Sequence, residues 1–138
     1  MEMKPSDLTE KEKVFARNAI ETYKNIRPVI QQGDLYRLVT PYEEKPYVSM
    51  IYCTPEKDRA VYFLFRRSFL KDTWEEPRKL AGLDPERNYL IKEINAANPA
   101  KKVSLDGKIV SGRFLMENGF RLNLGQDMSS VVLELIAQ

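Results

Sequence analysis

From Thr9 onward apolar residues return at helical spacing. Phe15, Ala16, Ala19, Ile20, Tyr23 and Ile26 share one side, and Lys11, Lys13, Arg17, Glu21 and Lys24 fall mostly elsewhere. Thr9 followed by Glu12 fits a capping box, in which each residue's side chain serves the other's backbone N–H. Pro28 disfavours helical backbone at Arg27, so the pattern predicts one amphipathic helix of about four turns that stops near Asn25. Its bulky apolar stripe requires a partner surface.

After Gly33-Asp34 the period shortens. Segments rich in aromatic and β-branched residues follow one another, separated by turn signals: Leu35 to Thr40, Tyr47 to Cys53 after "PYEEKP", and Arg59 to Ser68 after "TPEKD". Further strands are predicted at Arg78 to Leu80, Asn88 to Ile94, Lys102 to Leu105, Lys108 to Ser111, Arg121 to Leu124 and Val131 to Ile136. In "VYFLFRRS" the apolar run is unbroken, as in a strand covered on both faces. Asp106-Gly107 between "KVSL" and "KIVSG" predicts a two-residue hairpin with a type I′ turn. The expected fold is mainly β: an antiparallel β-sandwich of about eight strands behind one N-terminal helix.

Composition narrows the chemistry. A chain of 138 residues suits one domain, with room for a short appendage; its 43% hydrophobic and 30% charged residues are ordinary globular content. The net charge of +2 is dispersed, which gives little field for nucleic acid or an anionic membrane, and no apolar run has the length of a membrane span. With no histidine and the single Cys53, Ser-His-Asp and Cys-His catalysis and the usual zinc sites are excluded. Cys53 reads as a half-buried strand residue. No cofactor or metal is called for.

Carboxylate chemistry finds no support in the spacing. Glu43-Glu44 and Glu75-Glu76 are adjacent, and neighbours on an extended chain point to opposite sides, so neither pair can flank one glycosidic bond. Both read as solvated loop charge. Trp74, the single tryptophan, lies in a loop where it would stack on a sugar ring, with Arg78 or Glu75 reaching hydroxyls, or else pack against the protein. Tyr36, Tyr47, Tyr52, Tyr62 and Tyr89 belong to strands and read as packing; Tyr42 is in a loop and is the second candidate for sugar stacking.

Four segments in order carry a resemblance: "YKNIRPVIQQGDLYRLVTPYEEKPYVSMIY" (residues 23–52), "LAGLDPERNYLI" (80–91), "DGKIVSGRFLMENGF" (106–120) and "SSVVLEL" (129–135). Together they resemble the end of the α-galactosidases of glycoside hydrolase family 36. The resemblance implies a (β/α)8 catalytic barrel followed by a Greek-key β-sandwich. A barrel needs roughly 200 residues or more, which this chain lacks. On that reading residues 1–27 resemble a link and the last helix of a missing barrel, and residues 28–138 the C-terminal β-sandwich. The stretch "IRPVIQQGDLYRL" becomes the crossover between them.

The two catalytic aspartates of the family belong to barrel strands, and no position here matches their motifs. "SFLKDTWEEPR" also departs from the family's more Pro-rich loop. The resemblance therefore implies a non-catalytic domain that supports a barrel cleaving terminal α-galactosides. That barrel is its partner, and an oligomer contact is a further role. The competing expectation is a carbohydrate-binding module that holds galactosides through Trp74 and Tyr42.

Overall fold

The structure, a computed structural model, describes residues 8–67, 76–96, 101–122, 124 and 129–138. It begins with helix α1, Glu10–Gln32. The capping box forms as the sequence predicts: Glu12 accepts from the Thr9 backbone N–H at 2.8 Å, and Thr9 Oγ1 accepts from the Glu12 N–H at 3.4 Å. The stop near Asn25 does not occur, and Pro28 lies inside the helix. An interior proline costs about 3 kcal/mol because a hydrogen bond is lost. Here its neighbours Ile26 and Val29 are buried against the sheet, each contributing roughly 1.5–3 kcal/mol. Lys24, whose carbonyl loses its donor, is exposed, so water can satisfy it.

Six strands form one antiparallel sheet: β1 (Asp34–Val39), β2 (Tyr47–Cys53), β3 (Arg59–Arg66), β4 (Asn88–Glu93), β5 (Ile109–Ser111) and β6 (Ser130–Ala137). Their order is β1-β2-β3-β6-β4-β5, so the last strand inserts between β3 and β4. A bulge between Arg37 and Val39 interrupts the alternation in β1. Leu38 and Val39 thereby both serve the same core.

The alternation along β3 separates two cores. Ala60, Tyr62 and Leu64 join Ile51 and Cys53 of β2, Ile91 of β4 and Leu133 and Leu135 of β6 in the larger core on one face. Val61, on the other face, packs with Ile26 and Val29 of α1, and Phe63, Tyr52 and Val132 lie against this smaller cluster.

About eight strands in a Greek-key sandwich were expected. Among the described residues, helix α2 (Gly112–Glu117) and irregular segments, instead of a second sheet, cover the larger core. Leu80, Leu83, Leu115, Phe120 and Leu122 point into it. Of the expected strand at Arg78 to Leu80, a single bridge between Arg78 and Phe120 forms. Residues 121, 122 and 124 and the segment Lys102 to Leu105 are not strands either. These short runs have the composition of strands but pair with side chains and single backbone groups: Val103 donates its N–H to the Glu93 carboxylate at 2.6 Å. α2 was not expected; its signal is Ser111, which caps it by accepting from the Phe114 N–H, and the closing Asn118-Gly119.

The Asp106-Gly107 turn forms, with Lys108 donating to Leu105 O at 3.1 Å. Positive φ occurs at Gly107 (78°) and not at Asp106, so the turn is not type I′. It leads from a loop into β5, which pairs with β4. Asp106 anchors it, accepting from the Glu93 N–H at 2.8 Å. That bond, helped by Lys102, holds the Asp106 carboxyl below the usual carboxylate range.

Gly33 closes α1 and opens β1. Its φ of −81° is open to any residue. Space is the constraint: a Cβ there would lie 2.4 Å from Val29 O and 2.8 Å from Cys53 O, both backbone atoms.

Three outcomes follow from this packing. Gly33→Ala forces helix end and β2 apart and lowers stability by about 1–3 kcal/mol in urea unfolding. Leu115→Ala, which empties a fully buried position on α2, costs about 2–5 kcal/mol in the same measurement. Asp106 has a depressed folded-state pKa, so its contribution is present above the unfolded value of about 3.9 and disappears as pH falls through the folded value. The difference in urea midpoint between the native chain and Asp106→Asn therefore shrinks between pH 6 and pH 3.

Candidate functional site

The polar candidates gather around the turn between β1 and β2. Glu43 accepts from the Thr40 N–H at 2.8 Å, and Arg67 donates to Pro41 O at 2.9 Å, so the turn is tied at its start and from β3's end. Tyr42, at its tip, is 95% exposed. Lys45 sits 3.9 Å from Glu43 and 3.7 Å from Glu76.

Beside this turn lies an open cleft of about 280 Å³, with Leu38, Val39, Tyr47 and Pro77 among its walls and Lys45, Ser49, Glu76, Arg78 and Lys79 as its polar groups. The Arg78 guanidinium lies 4.4 Å from the centre of the Tyr47 ring and donates to Leu122 O at 2.9 Å. It is 7% exposed. Arg78, considered from sequence for a sugar contact, binds the covering layer to the sheet. Tyr62 lies fully buried near Ser49 and Arg78, and burial raises the pKa of its phenol far above the usual value. It stays neutral at any physiological pH.

Trp74 and Glu75 lie outside the described residues. Of the two aromatics proposed for sugar stacking, Tyr42 alone is placed. The remaining strand tyrosines behave as packing residues: Tyr47, Tyr62 and Tyr89 are buried, and Tyr36 and Tyr52 are half-buried. Tyr89 ties two loops together, donating to Lys57 O at 2.7 Å and accepting from the Asp84 N–H at 2.9 Å. Cys53 is more deeply placed than expected, fully buried, and burial pushes its thiol up to about 11. A thiol held neutral in this way is a poor nucleophile.

The carboxylates have structural work. Glu134 pairs with Arg59 at 2.5 Å on the α1 side of the sheet, Asp58 accepts from Thr54 Oγ1 at 2.5 Å, and Glu93 and Asp106 hold the loop before β5. Among the described residues no cluster of three or more metal-ligating side chains occurs. No described helix is long and apolar enough to cross a membrane.

A second feature runs along α1. Phe15, Ala19, Tyr23, Ile26 and Ile30 recur at intervals of three or four residues and form one stripe. The sheet covers only its C-terminal end. Ile26 is buried and Ile30 partly so, whereas Phe15 and Tyr23 are 57% and 50% exposed. The signal for this feature was the helical periodicity; its one-sided coverage required the structure.

Comparison with known proteins gives one consistent family. Residues 47–135 match the glycosyl hydrolase family 36 C-terminal domain. Alpha-galactosidase 1 of Pediococcus pentosaceus is 30% identical over 88 residues, which cover 64% of this chain and 12% of that protein. The probable alpha-galactosidase C of Aspergillus oryzae is 28% identical over 139 residues, covering 100% of this chain and 16% of that one. Among solved structures, the family 36 alpha-galactosidase AgaB from Geobacillus stearothermophilus superimposes with a TM-score of 0.78 at 25% identity, over 97% of this chain and 17% of that chain. AgaA from the same organism gives 0.80 at 24% identity, over 99% and 17%. The chain therefore spans about a sixth or less of the length of these relatives. It belongs to the family of glycosyl hydrolase family 36 C-terminal domains.

Proposed function

We propose that this chain is the non-catalytic C-terminal domain of an α-galactosidase-like glycoside hydrolase, and that it supports the (β/α)8 barrel that cleaves terminal α-galactosides. The observation that carries this reading is the stripe on α1. One continuous helix face is buried by the sheet at Ile26 and open to solvent at Tyr23 and Phe15. A face of this kind is covered by another body. We read residues 1–27 as the link and last helix of the barrel, and residues 28–138 as the sandwich domain. The six-stranded sheet and the layer over it would be the two layers of its Greek-key sandwich.

Support is the role left when chemistry is assigned elsewhere. Retaining and inverting glycosidases both need two carboxyl groups facing one bond. Here Glu134, Glu93, Asp58 and Asp106 hold arginine, backbone or hydroxyl partners within the domain. A homo-oligomer contact through the same stripe is the natural consequence when the barrel is missing.

A second reading rests on Tyr42. An aromatic ring 95% exposed at the tip of a turn tied by Glu43 and Arg67 is a ready surface for stacking on a galactoside.

The purified chain is expected to leave an aryl α-galactoside intact and to self-associate in sedimentation velocity, with Phe15→Ser/Tyr23→Ser shifting it toward monomer. Hydrolysis by the native chain would overturn the support role, and a native chain that is monomeric at all concentrations would count against an open apolar face. Titration with galactose, melibiose and raffinose separates the second reading: backbone amide shifts near residues 40–44 stay unsaturated to high millimolar sugar. Saturable shifts abolished by Tyr42→Ala would replace support with sugar binding.

A further inference from the structure

The cleft beside the β1–β2 turn opens on the face of the sheet away from α1, and its floor is polar. Ser49 and Arg78 line it, at 2% and 7% exposure. The register pairs Ile51 with Tyr62 and Ser49 with Leu64, so Ser49 is the diagonal neighbour of Tyr62 on this face. Phe120 meets the Tyr62 ring edge-on at 5.7 Å, which fixes where the phenol oxygen ends. It lies beside Ser49 and in the field of Arg78 and Tyr47, all three of which line the cleft.

Tyr62 Oη is buried there without completing a hydrogen bond to Ser49 or to any other described residue. A buried phenol ordinarily finds a partner, because an unpaired one forfeits the bonds that water made to it in the unfolded chain. Burial also keeps it protonated, so it remains a donor.

The charges of the cleft share one bias. Lys45, Arg78 and Lys79 bring three positive charges to its lining and Glu76 one negative charge, which Lys45 faces at 3.7 Å. Arg78 is also fixed in place: its backbone N–H donates to Phe120 O at 2.8 Å and its guanidinium to Leu122 O at 2.9 Å. Fixed donors with an excess of positive charge match an anionic acceptor. The volume of about 280 Å³ equals that of roughly nine water molecules at about 30 Å³ each, and Leu38, Val39 and Pro77 give it an apolar wall. A short carbon chain ending in a carboxylate uses both parts, whereas a bare inorganic anion leaves the wall idle.

We propose that this cleft binds a small aliphatic carboxylate, whose oxygens accept from the Ser49 and Tyr62 hydroxyls and face the Arg78 charge while its chain lies along Leu38, Val39 and Pro77. The site depends neither on the support role nor on Tyr42.

The test titrates the isotope-labelled full chain with sodium butyrate at constant ionic strength and follows backbone amide shifts, with sodium phosphate and galactose run alongside. Butyrate is expected to give saturable shifts at Ser49, Tyr62 and Arg78, and Tyr62→Phe to weaken binding by roughly tenfold or more, since a hydrogen bond to a charged group is lost. Because that hydroxyl has no partner in the free chain, Tyr62→Phe should leave the melting temperature unchanged or raise it. Lys79→Gln changes an exposed residue and is expected to weaken binding by a factor that shrinks as salt rises; Tyr42→Ala is expected to change nothing. Absence of saturable shifts up to high millimolar butyrate would overturn the site. Phosphate binding as tightly as butyrate would overturn the aliphatic ligand and leave an adventitious ion only. Galactose shifting these amides where butyrate does not would overturn the anion and give the cleft to a sugar. Butyrate binding untouched by Tyr62→Phe would overturn this floor as its seat.

Discussion

Coverage of both faces of β3 is the constraint on which the rest of the structure depends. Its one side presents Ala60, Tyr62 and Leu64 to the larger core, and its other side presents Val61, Phe63 and Phe65. Water must be excluded from both sides, at roughly 25 cal/mol per Å² of apolar surface. The polypeptide satisfies the first side with its own loops and α2. On the second side, among the described residues, it supplies the last turns of α1 and Ile94. The exposed Phe65 and the half-buried Phe63 lie on that second side.

The joint between helix and sheet is built to transmit position. Gly33 allows the end of α1 to touch the end of β2, because no side chain stands between its Cα and the Val29 and Cys53 carbonyls. Gly33 N–H donates to Val29 O at 2.9 Å, which closes the helix at the point where β1 starts. No loop of variable length intervenes. A body fixed to α1 is thereby fixed to the sheet.

Polar chemistry in the domain is consistently turned inward to hold loops. Arg78 stacks on Tyr47 and bonds to Leu122 O, Tyr89 bridges Lys57 and Asp84, and Asp106 and Glu93 clamp the segment before β5. Such groups resemble functional candidates in a linear reading, since the residue types are the same. Their partners are distant in sequence: Arg78 and Leu122 lie 44 positions apart. Tyr42 is the exception, and its exposure at the tip of a braced turn is why it remains the residue of interest for ligand binding.

The sequence by itself determined the elements with strong local causes. The Thr9 capping box and the stripe beyond it specify α1; the long β-branched and aromatic runs specify β2, β3 and β6; and the ordered segments from residue 23 to 135 carry the family. The tertiary structure decided what depends on distant partners. The runs at Arg78 to Leu80 and Lys102 to Leu105 have strand composition but find no strand to pair with, so they become a covering layer. Pro28 would end an isolated helix, and burial of Ile26 and Val29 against Val61 carries the helix through it. Which end of the α1 stripe is covered is likewise a matter of where β3 lies. Periodicity records that a face is apolar; only the fold reveals which part of that face the sheet covers and which part stays open to solvent.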